Sequence, residues 1–493
     1  MKILSTQQIR EADSYTIKHE PISSLDLMER ASKAFVRWFC EQFVTTRPVA
    51  IFCGKGNNGG DGLAIARLLC ERAYQVQVYI IEHAAMASQD FEANLVRLKN
   101  HTQPLEIKAA SDLPPLTANH IIIDAMLGSG LSRPTQGILA ETIRALNDLG
   151  NTIVSVDIAS GLYADQPNHE DDVIIKPQYT VSFQFAKLAF MLPQNASYTG
   201  SWHVVDIGLH STFIAEIETP YQLTTPSDAE GRIIARQKFS HKGTFGHALI
   251  VAGSYGKIGA AVLAGKACLR SGVGLLTMHI PNCGYEIMQI SIPEAMTTVD
   301  QNQKYISETP TPDMYSAIGI GPGIGQETMT VQALEQLLKC VKAPLVIDAD
   351  ALNILSQNPH LLPLLHPKTI LTPHPKEFER LAGKTSNEFE RLTRARDFAI
   401  KHQVIVCLKG ANTAGVLSNG DVHFNTTGNP GMATGGTGDV LTGIITSLLA
   451  QGYTPENAAI FGVYQHGLAG DRAANQKGMT ALIASDLVEN LGW

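Results

Sequence analysis

The chain has 493 residues, 44% of them hydrophobic and 17% charged, with a formal net charge of -8. That length calls for two or three domains, and the composition is that of a soluble globular protein. The acidic balance argues against a nucleic-acid surface, and no apolar run has the length of a membrane span. The opening residues, Met1 to Arg10, lack the apolar core of a signal peptide. Seven scattered cysteines, none in a C-x-x-C pair, read as free thiols in a reducing cytoplasm.

Ser5–Cys40 predicts one or two leading helices, with Leu25–Phe39 following the helical period. Strands are then expected at Val49–Cys53, Val76–Ile81, His120–Asp124, Thr152–Asp157, Thr180–Phe183 and Trp202–Val205. Helices such as Gly62–Arg72, Asp90–Asn100 and Ile138–Leu149 alternate with them. This alternation predicts a parallel sheet covered on both faces. Around Glu218–Asp228 the chain turns polar, with breakers at Pro220 and Pro226, so domains are expected at 1–218 and 219–493. A second α/β series follows. Its expected strands are Ala248–Ala252, Leu275–His279, Ala317–Ile320 and Leu345–Asp348, then Thr369–Thr372, Val404–Leu408, Ala414–Leu417 and Val422–Phe424.

In the first half, Phe52–Gly62 carries a glycine-rich stretch after a strand, with Asn57, Asn58, Gly59, Gly60 and Asp61 at its centre. It is neither a regular dinucleotide fingerprint nor a Walker A loop. A bare glycine-rich turn is the plain alternative, but two Asn and an Asp favour a ligand site. Asp124 and Asp157 end two further expected strands, where an open α/β sheet binds its ligands. As lone residues such carboxylates are often turn or helix caps. Together with the Asn-rich loop they argue for a site.

This set resembles the NAD(P)H-hydrate epimerase domain of the bifunctional NAD(P)H-hydrate repair enzymes. The resemblance implies a Rossmann-like three-layer α/β/α domain. It implies a potassium ion held by Asn58, Asp124 and Ser160, all oxygen donors as a hard cation requires. Substrate would be held by Asn57–Asp61 and by the segment of Gly128, Ser129, Gly130, Leu131, Ser132, Arg133 and Pro134. Asp157 would be the acid/base at C6 of the hydrated nicotinamide.

In the second half, Asn429–Asp439 places four glycines and a carboxylate ahead of an apolar helical run, Val440–Ala450. Glycines allow close backbone approach, and a helix N-terminus attracts an anion such as a phosphate. Other strand ends carry Gly319–Gly325, His374 between two prolines, and Lys409, Gly410, Ala411, Asn412 and Thr413. Taken singly, His374 is a structural or surface histidine, Gly321–Gly323 a turn, Lys409 a loop residue and Asp439 an N-cap. Their joint order resembles the ribokinase-like superfamily and, within it, ADP- or ATP-dependent NAD(P)H-hydrate dehydratase.

That resemblance implies that Lys409–Thr413 and Gly438 hold the nucleotide and that Ala260, Gly323 and His374 face the substrate. Asp439 would take the substrate's hydroxyl proton while a phosphoryl group is transferred and phosphate is then eliminated. Mg²⁺ with ADP or ATP would serve this site, with ADP favoured. The expected partners are hydrated NADH and NADPH, in a cytoplasmic homo-oligomer. The competing expectations are a ribokinase-like vitamin or sugar kinase with an accessory nucleotide-binding domain, and a first domain that senses a nucleotide without catalysis.

Overall fold

Short β-branched and aromatic runs bounded by glycine or polar turns form the strands of the computed structural model, which describes residues 1–493. Two units divide the chain, one of Met1–Thr219 with Asn387–Phe389, the other of Pro220–Ser386 with Glu390–Trp493. The first begins with α1 (Thr6–His19), α2 (Ser24–Gln42), β1 (Val49–Cys53), α3 (Asn57–Cys70), β2 (Val76–Ile81), α4 (Gln89–Leu98) and β3 (Leu105–Ile107). It continues with β4 (Ile121–Ala125), α5 (Gly137–Asp148), β5 (Thr152–Val156), β6 (Tyr179–Phe183), α6 (Ala196–Thr199), β7 (Ser201–Val205) and α7 (Ser211–Glu216).

The seven strands pair in parallel in the order β3-β2-β1-β4-β5-β6-β7. β1 and β4 are buried along their whole length, as a sheet covered on both faces requires. Because β1 pairs with both β2 and β4, the connections leave in opposite directions there. The crevice of a doubly wound sheet opens at that point. The leading helices start where serines cap them: Ser5 forms a capping box with Gln8 for α1, and Ser23 accepts from Asp26 N for α2.

The glycine-rich stretch differs from its expected form. Helix α3 begins at Asn57, not Gly62, so Asn57–Asp61 is a first helical turn rather than a loop. The reason is close packing. A Cβ on Gly59 would lie 1.7 Å from Gly54 O, and one on Gly62 would lie 2.6 Å from the Ala125 side chain. These glycines let α3 start against the strand ends, which outweighs their weak helix propensity.

The second unit opens with β8 (Tyr221–Leu223), α8 (Pro226–Glu230), β9 (His247–Val251), α9 (Ile258–Arg270), β10 (Leu275–Ile280), α10 (Tyr285–Ser291) and β11 (Met296–Val299). Then come β12 (Ala317–Ile320), α11 (Thr328–Cys340), β13 (Leu345–Ile347), α12 (Ala349–Gln357), β14 (Ile370–Leu371), α13 (Pro375–Ala382) and α14 (Glu388–His402). The chain ends with β15 (Ile405–Leu408), β16 (Ala414–Val416), β17 (Val422–Phe424), α15 (Thr437–Ala450), α16 (Pro455–Lys477) and α17 (Ala484–Glu489).

Its ten strands run in the order β11-β10-β9-β12-β13-β14-β15-β16-β17-β8. Pairing is parallel from β11 to β15, antiparallel across β15-β16-β17, and parallel again between β17 and β8. The polar stretch expected as a bare boundary therefore supplies an edge strand, β8. Helix α15 is buried from Val440 to Ala450 and packs on the small residues of α9. A Cβ on Gly443 would lie 2.1 Å from Ala264 O, so these two helices meet backbone to backbone. No helix is long and apolar enough to cross a membrane.

Candidate active sites

In the first unit the turns after β1 and β4 touch: a Cβ on Gly54 would lie 1.9 Å from Met126 O. Asn58, in the first turn of α3, donates Nδ2 to Leu127 O at 2.8 Å. Asp124 is fully buried and accepts from Ser160 Oγ at 2.5 Å, Ser155 Oγ at 2.8 Å and Ser160 N at 2.9 Å. Ser160 Oγ in turn accepts from Leu127 N at 2.8 Å. Asn58, Asp124 and Ser160 thus meet around the Leu127 turn, as the sequence set them. Burial pushes the Asp124 carboxyl up despite the serines that bond to it. A cation at this oxygen-only cluster would relieve that burial cost, so the residues fit a hard monovalent ion.

Asp157 follows β5 with φ +67°, a left-handed conformation that Asp tolerates better than most residues. Its Oδ1 accepts from Lys187 Nζ at 2.8 Å, Phe183 N at 3.1 Å and Ser182 Oγ at 3.4 Å. Lys187 is buried and also donates to Ser182 Oγ at 2.9 Å. Every one of these contacts falls on Oδ1, so Oδ2 is left for the cavity that Asp157 lines. That cavity, about 530 Å³, is walled by Asn57, Asn58 and Asp61 and by the whole Gly128–Arg133 segment. Pro134 lies next to that wall without lining it. Burial, with Asp157 and Asp13 adding to it, pushes the Asp61 carboxyl well up.

Sequence reasoning passed over Lys187, Asp13 and Arg10. Lys187 had a signal, a lone cation inside the apolar run Phe185–Met191. Asp13 and Arg10 had none, because only the docking of α1 brings them to the cavity.

In the second unit Asp348, after β13, and Lys409, after β15, both reach the first turn of α15. Gly436 caps that helix at φ +93°, and no side chain bonds to its first N–H groups. Uncapped donors of this kind suit an anion. Asp439 lies inside the first turn and does not act as the N-cap. Burial and Asp348 push its carboxyl up to about 7, against the opposing pull of Lys409. It lines a cavity of about 420 Å³ together with Gly256, Lys257, Ala260, Gly323 and Glu377. Ala260, Gly323 and Asp439 are therefore brought together.

Lys409 lies beneath the anion loop. Its Nζ is 2.9 Å from Asp348 Oδ1 and 4.0 Å from Glu377 Oε2, and a Cβ on Gly438 would lie 3.4 Å from Nζ. Burial pulls this ammonium down, but Asp348 and Glu377 outweigh it and hold it above its usual range. Gly410–Thr413 form the turn into β16, where Gly410 N donates to Thr413 Oγ1 at 3.3 Å. His374 caps α13: its Nδ1 accepts from Lys376 N at 3.1 Å and Glu377 N at 3.2 Å, and it does not line the cavity. Burial pulls the His374 ring down, so it is held neutral for that role.

Asp348, Glu377 and His466 were not among the expected site residues, although Asp348 ends an expected strand. Thr442 Oγ1 donates to Asp348 Oδ2 at 2.9 Å. His466 Nε2 lies 2.8 Å from Thr437 O, an atom that can only accept, so this nitrogen carries the proton. Burial pulls His466 down to about 4, and its neutral ring fixes the anion loop from below.

The loop after β12 depends on Gly321 at φ +132°, where a Cβ would lie 1.9 Å from Asp348 O. Gly321→Ala is expected to destabilise the second unit by roughly 2–4 kcal/mol, since both backbone strain and a main-chain clash oppose it. Thermal unfolding reads this directly, and a midpoint equal to that of the parent chain would contradict the packing described.

Two family models match the chain. One, described as NAD(P)H-hydrate dehydratase, matches residues 248–492, and one described as YjeF-related protein N-terminus matches residues 24–189. The bifunctional NAD(P)H-hydrate repair enzyme Nnr of Moorella thermoacetica is 36% identical over 515 residues, covering 100% of this chain and 96% of that protein. A ribokinase-like superfamily protein from Enterococcus faecalis is 28% identical, with a TM-score of 0.50 over 55% of this chain and 94% of its own. The ADP/ATP-dependent NAD(P)H-hydrate dehydratase of Bacillus subtilis, co-crystallised with ATP/Mg²⁺, is 32% identical, with a TM-score of 0.47 over 55% of this chain and 95% of its own.

Proposed function

The chain belongs to the bifunctional NAD(P)H-hydrate repair enzymes, and from that premise we propose which residues carry each activity. It is an NAD(P)H-hydrate epimerase and an ADP/ATP-dependent NAD(P)H-hydrate dehydratase. We assign epimerisation to residues 1–218 and dehydration to residues 219–493.

Dehydration rests on one observation above all: a carboxyl held up at about 7, in the first turn of a helix whose N–H groups no side chain caps. Hydroxide is a poor leaving group and phosphate a good one. Asp439 takes the proton from the C6 hydroxyl of the S hydrate, and the terminal phosphoryl of the nucleotide passes to that oxygen. The N–H groups of Gly435–Gly438 stabilise the charge that develops. Elimination of phosphate then restores the dihydronicotinamide. Lys409–Thr413 and Gly438 hold the nucleotide, with ADP the favoured donor, and Ala260 and Gly323 face the substrate, while His374 shapes that wall through its cap on α13. Mg²⁺ supplies neutralisation of the phosphate charge when bound.

Epimerisation is assigned to the 530 Å³ cavity, with Asp157 moving the proton and Asn57–Asp61 and Gly128–Pro134 holding the substrate. Asn58, Asp124 and Ser160 would hold K⁺, which would supply positive charge beside the Asp124 carboxylate. Replacing K⁺ with Li⁺ in the buffer is expected to slow epimer exchange about tenfold and leave dehydration of the S hydrate unchanged, an effect of roughly 1.4 kcal/mol. Equal rates in both salts would remove the ion from the assignment. We place the enzyme in the cytoplasm, which suits its seven free cysteines, and as a homo-oligomer, to be read by light scattering.

The deciding experiment supplies purified R and S hydrates with ADP or ATP and follows recovery of near-ultraviolet NADH absorbance. Both epimers are expected to convert. No conversion with either nucleotide would overturn the residue assignment. A stable phosphorylated product would point instead to a ribokinase-like kinase.

A further inference from the structure

Helix α1 precedes the stretch matched by the YjeF-related model, yet one of its faces belongs to the epimerase cavity. Ile9 and Arg10 lie four and three residues before Asp13 and Ile17 four after it, which stacks them on one side of the helix. All four line the same cavity as Asp157. The start of the helix is tied to the rim, because Thr6 Oγ1 donates to Ser129 O at 3.3 Å and Thr6 N to Asp165 Oδ2 at 2.7 Å.

Asp13 differs from Asp157 in its surroundings. Asp157 gives Oδ1 to Lys187, Ser182 and Phe183, whereas the Asp13 carboxylate makes neither a hydrogen bond nor an ion pair, and only burial and nearby charges act on it. Burial, with Asp157 adding to it, holds Asp13 up at about 6 against the pull of Lys187. The charged groups that face it are Arg10, Asp61, Asp157 and Lys187, with His83 and Arg133 farther along the cavity wall. One carboxylate is thus fixed by a cation and the other is free to carry a proton.

We propose that Asp13 is a second catalytic carboxylate of the epimerase, working with Asp157 on the hydrated nicotinamide. This rests on the assignment of the cavity to epimerisation. The carbon to be inverted bears both a hydroxyl and the ring nitrogen N1. One carboxylate takes the hydroxyl proton, and the O–H electron pair forms the C6=O bond of an aldehyde. The C6–N1 bond breaks with its pair passing to N1, which takes a proton from the other carboxylic acid. After rotation about C5–C6, N1 attacks the opposite face, and both proton transfers reverse. The cycle requires one carboxyl to take a proton while another gives one, and the cavity offers two: Asp157, held through Oδ1 by Lys187, and Asp13, which has no such partner.

The test follows R-to-S exchange by chromatographic separation of the epimers, using the full chain and no nucleotide. Asp13→Asn is expected to lower kcat about 100-fold with KM within about threefold of the parent value. Asp13→Glu, which keeps a carboxyl one methylene away, is expected to retain at least about a tenth of the parent kcat. An Asp13→Asn variant at full kcat, with Asp157→Asn inactive, would overturn the proposal and leave the cavity assignment standing. Full kcat in both variants would overturn the cavity assignment as well. Equal losses in Asn and Glu variants with a raised KM would make Asp13 a structural support for α1, which also overturns the proposal.

Discussion

Asp439→Asn is expected to lower recovery of NAD(P)H from the S hydrate by about 10³-fold, while epimer exchange continues at the parent rate. Asn fits the same first turn of α15 but cannot accept the hydroxyl proton. In the parent chain the working form is the carboxylate, so kcat/KM for dehydration should rise with pH up to about 7 and level off above it. Stability should move the other way. A carboxyl raised from 3.8 to about 7 binds its proton more tightly in the folded chain than in the unfolded one. The stability it contributes is present at low pH and is lost as pH rises between those two values. At pH 8 the ionised, buried Asp439 is a net cost, and Asp439→Asn is expected to unfold roughly 3–6 °C higher than the parent. A residual dehydration rate above about a tenth of the parent's would rule Asp439 out as the base. Loss of both activities together would argue against separate sites.

Asp157→Asn should produce the complementary defect. With nucleotide present, the S hydrate is consumed at the parent rate, the R hydrate persists, and an equal mixture of the two stops near half recovery. Asn is the informative replacement because it accepts the left-handed φ of +67° nearly as well as Asp, and its Oδ1 can still accept from Lys187. Ala would add backbone strain and leave a buried ammonium unpaired, confounding chemistry with folding. Epimer exchange is expected to fall about 10²–10³-fold, measured in the absence of nucleotide. Unchanged exchange would remove Asp157 from the assignment.

Which of the expected residues share a place in the fold was legible in both units. Ala260, Gly323 and Asp439 do line one cavity, and Asn58, Asp124 and Ser160 do meet around one turn. The fold was legible for a related reason, since long apolar runs such as Val49–Cys53 admit few alternatives in a buried sheet. Short edge strands were not. β3, β8 and β11 have three or four residues each with exposed or half-buried positions, and pairing with a neighbour decides them rather than their own pattern. The start of α3 was misplaced because glycine carries two meanings, loop flexibility and close approach, and here the second applies. Asp13, Asp348 and His466 stayed hidden because each acts through a partner distant in the chain. No local spacing announces such a pair.

The contact of Gly443 with Ala264 has one further consequence. With no side chain between them, α9 and α15 form a single mechanical part. Ala260 rides in the first turn of α9, and Asp439 in the first turn of α15. Two residues that line one cavity, Ala260 and Asp439, are thus two teeth of one casting, their spacing set by the packing of two helix backbones.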